Sequence, residues 1–175
     1  MKSILIAIIG LFFIVGCGKD KKGTSDQKKE IKTVQKVVTS SAEESASMAA
    51  DGVVHIEIRS DDSMKFDVKK IVVKAGQKVK LTLTHSGRLD KRIMGHNVVI
   101  LKKGTRLSSF ASKAAASRDN DFIPAGTTEV IAHTKMIGGG ETTTVEFTAP
   151  EAGIYDYICS FPAHYALMKG KFVVE

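Results

Sequence analysis

Near the C-terminus, Cys159, His164 and Met168 follow one another at the spacing Cys-x4-His-x3-Met. They stand on a stretch that reads as a strand, a loop broken by Pro162, and a second short strand. A thiolate, an imidazole and a thioether on one loop are soft and borderline metal donors. Sulfur donors with imidazole suit copper, and two imidazoles, one thiolate and a distant axial methionine make the blue-copper arrangement. A second imidazole is needed, and the candidate is His96, within Met94-Gly95-His96-Asn97 and ahead of the apolar run 98–101, which reads as a buried strand. A metal held this way would tie together two distant parts of the chain.

Three stretches carry a family resemblance: 94–97, 130–140 (Val-Ile-Ala-His-Thr-Lys-Met-Ile-Gly-Gly-Gly) and 159–170. Through them, residues 53–175 resemble the azurins, small blue-copper electron carriers of the cupredoxin fold. The Cys-x4-His-x3-Met loop alone is less specific, because auracyanins and plastocyanin-like proteins have related loops of other lengths; three matches in the right order are specific.

The resemblance implies one type 1 copper ion cycling between Cu(II) and Cu(I). His96, Cys159 and His164 would hold it, with Met168 as weak axial ligand and the Gly95 carbonyl opposite. It also implies that Asn97 and Ser160 link the His96 segment to the cysteine loop by hydrogen bonds, and that the Phe161 backbone N–H points at the Cys159 sulfur. Around the exposed edge of His164 it places an apolar docking patch of Met64, Leu89, Ile93, Met94, Phe161, Pro162 and Ala163. Such a patch on a soluble protein marks a docking surface. Family partners include c-type cytochromes, copper nitrite reductases and peroxidases, and no bond-making chemistry is implied, so the chain is not expected to be an enzyme. Arg88, Lys91 and Arg92 lie close by in sequence, either as a bias toward acidic partners or as a solvated loop.

Blander readings stand beside these. A lone cysteine is usually a small buried hydrophobe, and a nucleophilic Cys/His pair would need an acyl-transfer motif that is absent from the sequence. Met168 could be core packing, and Gly95 could be required only because the backbone passes close to the metal. His85 and His133 match family positions outside the copper sphere and read as titrating or hydrogen-bonded groups, while His55, on the first strand, reads as exposed.

The 175 residues allow one domain with a tail. The formal charge is +7, yet from Asp51 onward there are 18 Lys/Arg against 14 Asp/Glu, spread along the chain. No basic helix or aromatic RNA-binding motif accompanies them, which argues against nucleic acid. The two cysteines, Cys17 and Cys159, lie in different contexts, so no disulfide is expected. That departs from the azurin pattern, whose cystine positions correspond to Val54 and Gly76.

Residues 1–16 combine Lys2 with a short apolar run, too short to span a bilayer comfortably and typical of a signal peptide. Ile14-Val15-Gly16-Cys17 resembles a bacterial lipobox, which makes Cys17 the lipidated N-terminus of a mature lipoprotein; an ordinary signal, or a short membrane anchor with an incidental cysteine, is the alternative. Multiple acyl chains would anchor it stably. Residues 17–50 are polar and lack aromatics, so they read as a flexible linker with at most a weak helix. As a coil it would span roughly 30 Å. The folded domain is then 51–175, at the cell envelope, on the periplasmic side or the cell surface.

Within that domain, period-two or β-branched segments at 53–59, 69–74, 78–84, 98–101, 128–133, 142–148, 154–159 and 170–174 predict an all-β, eight-stranded Greek-key β-sandwich. The pattern reads as antiparallel, interrupted by a short helical flap at 107–116. The function expected is one-electron transfer by a membrane-tethered monomer or weak dimer. A copper carrier without a shuttle role is the alternative. A copper oxidase or nitrite reductase would need a second, histidine-rich copper site, and five histidines are too few for one within a single chain. A plain structural lipoprotein would leave the three matched stretches unexplained.

Overall fold

Alternation of side chains builds the first sheet. In β2 (Val54–Ser60), Val54, Ile56 and Ile58 are buried while Glu57 and Arg59 face solvent; in β4 (Lys78–His85), Val79, Leu81 and Leu83 are buried. A two-residue period sends alternate side chains to one face, so each strand offers the core a row of aliphatics. The computed structural model describes residues 46–48 and 52–175. The signal segment 1–16, Cys17 and nearly all of the linker 17–50 lie outside the described residues.

The remaining elements are β1 (Ala46–Met48), β3 (Lys70–Val73), α1 (Lys91–Met94), β5 (Val99–Leu101), α2 (Leu107–Ala115), β6 (Val130–His133), β7 (Thr142–Thr148), β8 (Gly153–Ile158) and β9 (Lys169–Val174). One sheet has the order β1-β2-β4-β7 and the other β3-β9-β8-β5-β6. Their inner faces meet in a core of Ile56, Ile58, Leu81, Leu83, Ile71, Tyr157 and Phe172, among others. The outer face of the second sheet is partly covered by α2, whose Phe110 and Ala114 pack with Val99, Leu101 and Ile158. The eight strands and the flap foreseen from the sequence are thus β2 to β9 and α2.

Three features differ from expectation. The sheets are mixed: β2 pairs with β4, and β3 with β9, in parallel. Alternation reports which face is buried and carries no strand direction. Between β2 and β4 the chain crosses to the other sheet as β3 and returns, which makes the neighbours parallel. Secondly, β1 lies in the stretch read as linker and pairs antiparallel with β2, Ser47 opposite His55. His55 is accordingly half-buried rather than exposed. Finally, the turn α1 arises where the Asp90 side chain accepts the Arg92 N–H at 2.9 Å, a helix N-cap too short for periodicity to show.

The long loop between β2 and β3 is fastened from β8. The Tyr157 hydroxyl, fully buried, donates to the Val68 carbonyl at 2.7 Å, and burial raises its pKa well above the ordinary value. Tyr157→Phe would leave that carbonyl buried without its donor, which costs about 1–2 kcal/mol. Denaturant unfolding of the variant is expected to show that loss; an unchanged midpoint would mean the bond contributes nothing net.

Candidate metal centre

The β8–β9 hairpin carries its donors on the connecting loop. Cys159 directly follows β8 and continues the inward row Tyr155, Tyr157, Cys159. Its N–H donates to the Met168 carbonyl at 2.9 Å, and the Met168 N–H donates to the His164 carbonyl at 2.8 Å. The loop therefore closes on itself. A single 3-10 turn, His164–Ala166, sits at its tip, introduced by Ala163 in the left-handed region at φ 68. His96 comes from another part of the chain, between α1 and β5, and a reciprocal pair of backbone bonds with Ile137, each 2.9 Å, pins it in place.

These elements bring His96, Cys159 and His164 together, with one donor atom from each lying within 4.8 Å of the others. The Cys159 sulfur is 4.0 Å from His96 Nδ1, 3.7 Å from His164 Nδ1 and 3.8 Å from the Gly95 carbonyl oxygen. His96 Nε2 lies 3.0 Å from the Asp61 carbonyl oxygen. A carbonyl can only accept, so Nε2 carries the proton and the Nδ1 lone pair faces the sulfur. This is how a ligating imidazole is oriented by the partner of its other nitrogen. Cys159 and His96 have no exposed surface, and His164 has 4%.

Burial also sets the protonation states. It pushes the Cys159 thiol up to about 12, against the pull of backbone N–H groups of Asn97 and Phe161 that point at the sulfur. His164 is driven down to about 4 by burial, with repulsion from His96 and His85 adding to it. Burial likewise lowers His96, opposed by its bond to Asp61. At neutral pH the pocket thus presents two uncharged imidazoles and a thiol that needs an adjacent cation to ionise. One sulfur and two nitrogens in a dry cavity, with no carboxylate among them, fit copper.

Of the other residues singled out from the sequence, Met168 is fully buried in the main core beside Cys159. Asn97 Oδ1 accepts the Ser160 N–H at 2.9 Å, and Asn97 Nδ2 donates to Ser160 Oγ at 2.8 Å. Gly95 has an ordinary φ of −69, but a Cβ there would lie 2.4 Å from the Lys91 carbonyl oxygen and 3.0 Å from the Phe161 ring, so close packing excludes a side chain. Among the patch residues Leu89, Ile93, Pro162 and Ala163 are exposed, while Met64, Met94 and Phe161 are half-buried. Leu167, missed in the sequence, is 56% exposed on the same loop as His164; its apolar character next to Met168 was the available signal. His85 is hydrogen-bonded at both nitrogens, Nε2 to the Met94 carbonyl at 2.9 Å and Nδ1 from the Gly87 N–H at 3.0 Å, and stacks on His96 at 4.3 Å. His133 is exposed, its Nδ1 3.1 Å from the Thr134 carbonyl oxygen. Cys159 is free.

A sequence profile of copper-binding proteins of the plastocyanin/azurin family matches residues 50–175. The chain belongs to that family. An azurin of Alcaligenes faecalis is 43% identical over 119 residues, which is 66% of this chain and 93% of its relative. An azurin of Pseudomonas chlororaphis is 40% identical over 126 residues, 69% of this chain and 97% of that one. Among solved structures, auracyanin A, a blue copper protein from Chloroflexus aurantiacus, is similar with a TM-score of 0.65 and 35% identity, covering 71% of this chain and 100% of its own. An azurin from Methylomonas sp. strain J gives 0.63 and 33%, covering 69% and 97%. As a member of the plastocyanin/azurin family the protein is a one-electron carrier rather than an enzyme, and its cofactor is a type 1 copper ion. The His96, Cys159 and His164 group fits such a centre.

Two solution properties follow for this azurin-like domain. At pH 7 Cys159 is the one donor still protonated, so uptake of copper releases one proton and apparent affinity rises about tenfold per pH unit near neutrality. Calorimetric titration in buffers of different protonation enthalpy will count that proton. The metal-free protein, in turn, is destabilised by acid. Because the folded pKa of His164 lies below the unfolded value, the unfolded chain binds the proton first; stability is fully present above about pH 6.5 and falls, by on the order of 2 kcal/mol, as pH drops toward 4. Denaturant midpoints across that window will show the slope, and a flat profile would contradict the buried neutral imidazole.

Proposed function

We propose that the domain carries single electrons between redox proteins at the bacterial cell envelope, with His96, Cys159 and His164 as the residues that would hold the copper ion. The Met168 thioether, buried in the same core as Cys159, and the Gly95 carbonyl, 3.8 Å from the Cys159 sulfur, would be weak further donors. The observation that carries this reading is the convergence of one thiol and two imidazoles within 4.8 Å in a buried pocket. Copper, when bound, supplies one-electron chemistry. The chain supplies a braced cavity: the Asp61 carbonyl orients His96, the Asn97 amide holds the cysteine loop, and the Met168 and His164 backbone bonds close it. A pocket this constrained favours oxidation and reduction with little rearrangement.

Electrons enter and leave through His164, the one donor of the three with any exposed surface. Exposed Leu89, Ile93, Pro162, Ala163 and Leu167 on the loops near it form an apolar docking face, with half-buried Met64, Met94 and Phe161 behind. The partners are redox proteins such as c-type cytochromes or copper or haem reductases. Cys17 anchors the chain to the membrane through lipid, and the linker gives the domain reach on the periplasmic side or at the cell surface. Among the described residues no helix is long and apolar enough to cross a membrane.

A copper carrier would use the same donors but exchange the metal. The test is the visible spectrum of the protein titrated with Cu(II), alongside Cys159→Ala. An intense blue band, absent from the variant and cycling through reductant and oxidant without metal loss, is the expected result. A colourless product would sink the ligand set, and a band that disappears with copper release on each cycle would favour the carrier.

A further inference from the structure

Asp121 and Phe122 are both left-handed, at φ 51 and 57. A single such residue is tolerated in turns, above all if it is glycine or asparagine. A buried phenylalanine there is an outlier that persists only where its surroundings over-determine it. Three hydrogen bonds do so: Phe122 N–H to the Ser117 carbonyl at 3.0 Å, Ile123 N–H to the Asn120 carbonyl at 2.8 Å, and Asn97 Nδ2 to the Asp121 carbonyl at 3.0 Å. The last comes from the same amide that accepts the Ser160 N–H beside Cys159. One side chain therefore braces both the strained turn and the cysteine loop.

The result of this turn is the placement of one ring. Phe122 is buried and meets Phe161 edge-on, with centroids 5.2 Å apart and planes at 60°. Phe161 in turn lies 4.5 Å from the His164 ring. Beside the two phenyl rings opens a cavity of about 310 Å³, lined also by Arg92, Arg118 and Met136. Both rings line this space, so Phe161 is not enclosed on every side, and its ring contacts are with Phe122 and His164.

We propose that Phe122 is a positioning residue for the metal centre: it wedges Phe161 against His164 and so fixes the orientation of that imidazole. The left-handed turn after α2 aims the ring inward, which couples the helical flap to the copper pocket through two aromatic contacts and no covalent link. This rests on His164 being a copper ligand, and it adds a residue outside the three matched stretches to the machinery that holds it.

The test compares the wild-type protein with Phe122→Ala, Phe122→Leu and Phe122→Tyr, each as the full mature chain. Copper release to a chelator is expected to quicken about tenfold in Phe122→Ala, a loss of the size seen when outer partners of a ligand are removed. The electron paramagnetic resonance spectrum of its Cu(II) form should change as well, and the NMR resonance of the His164 ring in the metal-free chain should broaden or move. Phe122→Tyr restores all three, because its ring is the same and its hydroxyl can reach the cavity. Phe122→Leu keeps the apolar bulk if the alanine variant does not fold, and is expected to show the same changes at smaller size. Variants with a lowered unfolding midpoint but wild-type release, spectrum and His164 resonance would overturn the proposal and leave Phe122 as core filler. A colourless wild type would count against the ligand reading instead, and the His164 resonance of the metal-free chain would still decide this one.

Discussion

A thiol sealed between two sheets keeps its proton unless something positive stands next to it. Cys159 has no exposed surface, and burial holds its pKa far above neutrality. Every other feature of the metal end answers that condition. Two imidazoles are kept neutral, that of His96 with its Nδ1 lone pair toward the sulfur, the Gly95 carbonyl approaches it at 3.8 Å, and two backbone N–H groups are aimed at it. Without a cation these groups make a polar pocket with unspent donor capacity. With one, the sulfur's charge is matched by the ion and by N–H groups already in place.

The bracing is shared among few side chains, each reaching across sequence. Asn97 joins the start of β5 to the cysteine loop and to the turn after α2. Tyr157 ties β8 to the loop before β3. Close packing does the rest: Gly139 lies where a Cβ would meet the Arg88 backbone at 2.6 Å, so the glycine run can press against the loop that leads to His96. The sandwich core is built largely from aliphatic and aromatic side chains of β2, β3, β4, β8 and β9, and Cys159 and Met168 are part of it, so the metal end is packed into the same core as the sheets.

The donors were legible because Cys159 and His164 share one short loop and His96 stands before an unmistakable apolar strand. The eight strands from β2 to β9 were legible from alternation, with α2 standing out by its alanines. What alternation lacks is direction, which is why the parallel pairs β2/β4 and β3/β9 were not foreseen. The strand β1 offers three residues and no period. The acceptor that orients His96 is a backbone carbonyl of Asp61, and backbone acceptors leave no mark in residue types. Nor does the sign of φ: nothing in the residue types of Asp121 and Phe122 announces the left-handed backbone that decides where an aromatic ring goes.

The small difference in exposure among the three donors, none for Cys159 and His96 against 4% for His164, also bears on metal traffic. Of the three donors, His164 is the one a cation in solvent can meet at the surface. Loading and loss of the metal then bear first on that ring, the same one proposed to pass electrons. A redox partner seated there, as proposed above, would cover that edge, so copper would be held more securely during an encounter than in a carrier that is idle.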